Sequence, residues 1–243
     1  MSHNKTIYAL ILVFLIVIAV WKEMILQQTI TGVINRPIYL VPTSEKMVAL
    51  TFDISWGQNE VKAILALLKE YGVKATFFLS GPWVTNYPEL TLEIKKQGHE
   101  IASHGHRHIN YSSLPPETVQ REVRLAQETI YKVTGVQTIY IRTPNGDYDE
   151  KTIQAIRETG HTAIHWSIDS KDWLTPGVPI IVDNVLKKAQ RGSIILLHAS
   201  NSAPQTPAAL PLIITSLQKQ GFQIGTVGQL LSAYHNRQAP LAR

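Results

Sequence analysis

The chain has 243 residues, 44% of them hydrophobic, with a formal net charge of +5. That composition is ordinary for a globular protein, so disorder is not the default, and the length suits one sizeable domain, a size α/β barrels reach without splitting. With no cysteine, disulfide frameworks and thiolate sites are excluded, and any metal must be held by groups such as His, Asp or Glu. The mild basic excess is compatible with anionic polymers such as cell wall or nucleic acid and selects none of them. No Lys/Arg run is long enough for a nucleic-acid patch, so nucleic acid is not expected as a partner.

The chain opens with an apolar run, IYALILVFLIVIAVW at 7–21, preceded by His3 and Lys5 and closed by Lys22 and Glu23. A transmembrane helix needs roughly 17–25 residues, reached here by extension to Leu26 with Lys22 snorkelling to the interface. No small-x-small site follows, which favours an uncleaved signal anchor over residues 1–26 rather than a cleaved signal peptide. Either reading sends the rest of the chain across the membrane: a single-pass protein of the cell membrane with its domain extracytoplasmic, or a secreted one. Residues 27–44, with Gly32, Pro37 and Pro42, read as a linker.

From Met47 onward, short β-rich runs alternate with amphipathic helical runs. The strand candidates are 47–54, 74–80, 99–103, 138–142, 162–168, 193–199 and 222–227, rich in Val, Ile, Phe, Tyr and Thr. Helical patterns such as EVKAILALLKEYG and PPETVQREVRLAQETIYKVTG each end in a glycine suited to a left-handed C-cap. This alternation implies parallel strands with crossover helices. The predicted fold is α/β, a closed or nearly closed (β/α) barrel of about seven parallel strands. In such barrels chemistry sits at the C-terminal strand ends.

Those ends carry Asp53, then SHGHRH (103–108), Arg142-Thr143-Pro144-Asn145-Gly146, DSKDW (169–173) and His198. Titratable groups at five separate ends are expected to share one mouth. His104 and His108, four apart, fall on one face of a helical turn, a common way to chelate a metal; His106 is expected to point elsewhere. Asp53 suits a general base or a metal ligand, with Arg142 holding it ionised. Asp172 is placed to orient His198 and raise its pKa, so that it donates a proton. Trp173 and Leu196 suit an apolar wall for an acetyl methyl.

The ordered set TFD (51–53), SHGHRH, RTPNG (142–146), DSKDW and ILLHA (195–199) resembles the polysaccharide deacetylases of carbohydrate esterase family 4, the NodB-like domain. The resemblance spans residues 45–232, leaving 233–243 as a C-terminal tail. The segment ISWG after Asp53 looks most like the sporulation-associated PdaB-like branch. The resemblance implies a distorted (β/α) barrel and a divalent metal, usually zinc, with cobalt or nickel as alternatives. It implies hydrolysis of N-acetyl groups from GlcNAc or MurNAc residues of peptidoglycan or a related polysaccharide. By position, Asp53 matches the base, Arg142 its brace, His104 and His108 metal ligands, His198 the acid and Asp172 its tuning partner. Trp173 and Leu196 match the acetyl pocket, and Pro144 and Asn145 fall in a substrate-binding motif.

One position departs from the family. The usual second Asp, a metal ligand, is Ile54 here. Three outcomes stay open: Asp53 becomes the third ligand and leaves the base role to another group; water, an Asn or a displaced side chain fills the place; or the site binds metal weakly and the protein binds glycan without turnover.

Overall fold

The computed structural model describes residues 36–238. The expected anchor at 1–26, the linker residues 27–35 and the tail residues 239–243 lie outside the described residues.

Eight strands form one sheet: β1 (Met47–Ile54), β2 (Thr76–Leu79), β3 (Glu100–Ser103), β4 (Tyr140–Ile141), β5 (Thr162–Ala163), β6 (Ile168–Asp169), β7 (Ile194–His198) and β8 (Gln223–Gly225). The order is β5-β4-β3-β2-β1-β7-β6, with β8 also paired to β1, and every ladder is parallel. β5 and β6 are the two ends of this order. The expected α/β parallel architecture is present as a curled half-barrel that no ladder between β5 and β6 closes among the described residues.

Strand periodicity sorts the core into two layers. Leu50, Phe52 and Ile54 of β1, Phe77 and Leu79 of β2, and Ile195 and Leu197 of β7 pack with helix residues. The helices are α1 (Asn59–Glu70), α2 (Gly81–Asn86), α3 (Pro88–Lys96), α4 (Pro116–Thr134), α5 (Glu150–Glu158), α6 (Val178–Leu186), α7 (Thr206–Lys219) and α8 (Val227–Gln238). On the inner face, Ala49, Phe78, Ala102 and Ile194 pack with Val41, Ile164 and the α8 residues Val227 and Leu230. Thr51 and Asp53 share the inner parity of β1, which aims the carboxylate at the barrel mouth.

Two sequence expectations change. The run 162–168 is not one strand but β5, a bend and β6, because this stretch leaves one sheet edge and arrives at the other. The buried Arg142 guanidinium fixes the bend by donating to the carbonyls of Ile164 (3.4 Å) and His165 (2.9 Å). The lead-in is also more than a linker. Ile38 bridges Ile164 in parallel, Leu40 bridges Ser193, and Val41 N–H donates to Gly192 O at 3.0 Å. The buried Val41 packs into the inner core, so residues 38–41 line the seam.

Candidate active site

Asp53 sits one residue before the end of β1, 5% exposed. Its Oδ1 accepts from Arg142 Nη1 at 2.7 Å. Arg142 is fully buried, and its other donors go to Thr51 Oγ1 and the two carbonyls above, with the guanidinium 4.1 Å over the Phe78 ring. A buried charge is tolerable only with such complete pairing. Burial pushes the Asp53 carboxyl up, but Arg142, then His104 and His198, more than offset it and hold the group below its ordinary range. Asp53 is therefore ionised at neutral pH.

His104 follows β3 and is 2% exposed. Its Nδ1 lies 2.9 Å from the Arg142 carbonyl. A carbonyl only accepts, so Nδ1 carries the proton and Nε2 presents a lone pair. Burial drives the His104 pKa down to about 4, which keeps that lone pair available. Nε2 is 3.8 Å from Asp53 Oδ2, and the His108 ring stands edge-on at 5.4 Å between centroids. Burial likewise lowers the His108 pKa. The two imidazoles do not share a helical turn, as the spacing suggested. Residues 104–108 form a loop in which Gly105 takes φ 74°, and a Cβ there would meet Tyr111 Oη at 2.1 Å. The left-handed turn folds the loop back and brings the rings together. His106 packs behind this loop at Gly81.

Among the described residues, no group of three or more His, Cys, Asp or Glu is placed to hold a metal ion. Ile54 cannot add a donor: it is fully buried on the helix side of β1. The donor set nevertheless fits a divalent cation held open-sided. A carbonyl-oriented imidazole with a free Nε2 is the usual arrangement of a histidine ligand, and a second imidazole and a carboxylate oxygen lie beside it. This is not the closed cage of a structural zinc site.

Asp172 lies in a short 3-10 turn, Asp172–Leu174, after β6 and is fully buried. Its Oδ1 receives His198 Nδ1 at 2.7 Å and the Trp173 N–H; its Oδ2 receives the His198 N–H at 2.7 Å and the Thr206 hydroxyl at 2.6 Å. These donors lock the carboxylate, which in turn fixes the imidazole. Burial pulls the His198 pKa down, but the hydrogen bond and charge of Asp172, then Asp53 and Asp169, raise it above the ordinary value. His198 thus holds a proton more tightly than an ordinary imidazole, beside Asp53 in the same pocket.

One pocket of about 430 Å³ unites these groups. Asp53, His104, His108, Asn145, Trp173, Leu196 and His198 all line it. Arg142 and Asp172 stand behind Asp53 and His198 as positioning groups. Pro144 is buried and not on the pocket wall; it supports Asn145, which takes φ 58° at the rim. Sequence reasoning missed Trp56, Trp166 and Asp169, which also line the pocket. Asp169 opens the DSKDW motif, a readable signal. Trp56 follows β1 outside any predicted element, and Trp166 lies within the run 162–168, which the pattern reads as one strand.

The parallel half-barrel thus gathers Asp53, His104, His108 and His198 at one mouth. Comparison with known proteins gives the family. Residues 40–164 match the polysaccharide deacetylase family. Over 198 residues the chain is 35% identical to the peptidoglycan-N-acetylglucosamine deacetylase of Bacillus cereus, covering 80% of this chain and 92% of that protein. It is 31% identical over 196 residues to the uncharacterized protein YlxY of Bacillus subtilis, spanning 81% of this chain but only 60% of that protein. A family 4 carbohydrate esterase pseudoenzyme from Bacillus anthracis superimposes with a TM-score of 0.77 at 29% identity, over 82% of this chain and 70% of that one. The chain belongs to the polysaccharide deacetylase family.

Proposed function

We propose that the protein hydrolyses N-acetyl groups from GlcNAc or MurNAc residues of peptidoglycan or a related cell-wall or spore-cortex polysaccharide, releasing acetate. The observation that carries this reading is the pair at one pocket: Asp53, bound to Arg142 and held below its ordinary pKa range, and His198, bound to Asp172 and raised above its own. Pure glycan binding requires neither a tuned base nor a tuned acid.

His104 and His108 would hold a divalent cation, which would polarise the amide carbonyl and lower the pKa of water; with Asp53 Oδ2 as third ligand, the base role would pass to another group. Asp53 removes a proton from the attacking water. The C–O bond forms, the amide C–N bond breaks, and His198 delivers a proton to the departing sugar nitrogen. Leu196 and Trp173 give the acetyl methyl an apolar seat.

The reading places the domain outside the cytoplasm, held at the membrane by the apolar segment at 1–26 or released by its cleavage. A sporulation role and a place in the forespore or spore envelope rest on the resemblance of ISWG.

A second reading is a glycan-binding protein without turnover. Ile54 favours it, because two imidazoles and solvent hold a metal less firmly than three protein ligands. Incubation with purified peptidoglycan, followed by mass spectrometry for free amino sugars, separates the two. Deacetylated sugars that disappear with His198→Ala support the enzyme. Bound but unmodified glycan supports the second reading.

A further inference from the structure

Three of the chain's five tryptophans, Trp56, Trp166 and Trp173, line the single pocket described above. Trp166 is stacked on His165 at 3.8 Å and is spoken for by that contact. Trp56 and Trp173 are different: 47% and 49% of their surfaces face solvent. Trp56 follows β1 and stands edge-on to His108 at 5.1 Å, which sets it on the β3 side of Asp53. Trp173 follows β6, two strands away in the opposite direction. The two half-exposed indoles therefore stand on opposite flanks of the Asp53–His198 centre. Leaving this much indole in water is unfavourable, and a pocket wall is where a ligand would cover it.

We propose that Trp56 is a sugar-stacking platform for the pyranose next to the one being deacetylated. The ligand is then a chain of at least two N-acetylated hexosamines, not a single sugar. The ring face of such a sugar carries axial C–H groups and no charge, so it covers an indole face while its hydroxyls stay in water. Trp173 walls the acetyl group, and Trp56 sits on the other side of His108, one sugar along the chain. Trp56 is a specificity residue here, not a catalytic one. This inference rests on the deacetylase reading for its ligand class.

The test is calorimetric binding of N-acetylglucosamine monomer, dimer and tetramer to the full chain in chelator, where metal affinity plays no part. The expected result is a gain in affinity from monomer to dimer that Trp56→Ala removes, about tenfold, and Trp56→Phe largely keeps. Monomer affinity should not change. Because Trp56 is half-exposed, its truncation leaves the core intact, which circular dichroism checks. If Trp56→Ala keeps the full monomer-to-dimer gain, the platform is overturned and the deacetylase reading stands. If neither protein binds an N-acetylated oligomer of any length, the ligand class fails, and both readings fall together.

Discussion

Asp53 and His198 are register partners across the β1–β7 ladder. Two adjacent parallel strands thus carry, at the same level and the same inner face, a carboxylate held below its ordinary pKa range and an imidazole raised above its own. Asp53 has Arg142 behind it and His198 has Asp172, so the proton affinity of each is set by a second buried group. Separation of proton affinities between neighbours is how one site holds an acid and a base at neutral pH.

Removing either partner of the buried Asp53–Arg142 pair should be costly. Arg142→Met leaves a buried carboxylate without its guanidinium and frees the carbonyls of Ile164 and His165. Denaturant unfolding should show a loss of about 3–5 kcal/mol. A loss under 1 kcal/mol would mean that the pair does little to hold the mouth together.

The acid should set the alkaline limb of activity. His198 must be protonated, and its pKa is raised in the fold. Acetate release should therefore fall as pH rises through that raised value, above the ordinary 6.5 of histidine. The linked stability has the same sign: it is fully present below the unfolded pKa and is lost as pH rises through the folded one. Asp53 acts oppositely, stabilising above its unfolded pKa of about 3.8 and losing that contribution as pH falls through its lower folded value. Asp172→Asn should move the alkaline limb to lower pH, and His198→Ala should cost about 10²–10⁴-fold in rate. pH–rate profiles of the three proteins check this.

Much of this site is legible in the sequence because its residues sit at strand ends that the β/α alternation predicts. Asp53, Arg142 and His198 needed only that rule. The approach of His104 to His108 was legible, but its cause was not, since a left-handed Gly105 rather than a helical turn makes it. The break between β5 and β6 was hidden for a different reason. The run 162–168 has strand propensity throughout, and the contacts at its bend come from Arg142 and Ile38, far along the chain. Trp56 was missed because the ISWG segment follows β1 without a periodic pattern, and only the folded chain brings it to His108.

Restoring a carboxylate at position 54 should not repair the cation site. Ile54 packs with Leu50 and Phe52 against the helices, facing away from His104. Ile54→Asp would bury a charge without a partner, lowering stability by several kcal/mol without raising metal affinity. Metal titration and denaturant unfolding of the variant check this; a gain in affinity would show that the β1 end re-forms around the new ligand.

His104 should matter to the metal more than any neighbour that merely orients it. His104→Ala is expected to weaken zinc binding by more than the roughly 10–100-fold that changes behind a ligand cost, measured by competition with a chromogenic chelator. An unchanged affinity would remove His104 from the cation site.

The most direct test is acetate release by the full chain on peptidoglycan and N-acetylglucosamine oligomers, first stripped of metal and then with zinc, cobalt or nickel restored. The Asp53–His198 site predicts release that requires the metal and is lost in Asp53→Asn. No release on any substrate or metal, from a chain that is folded and binds glycan, would contradict it.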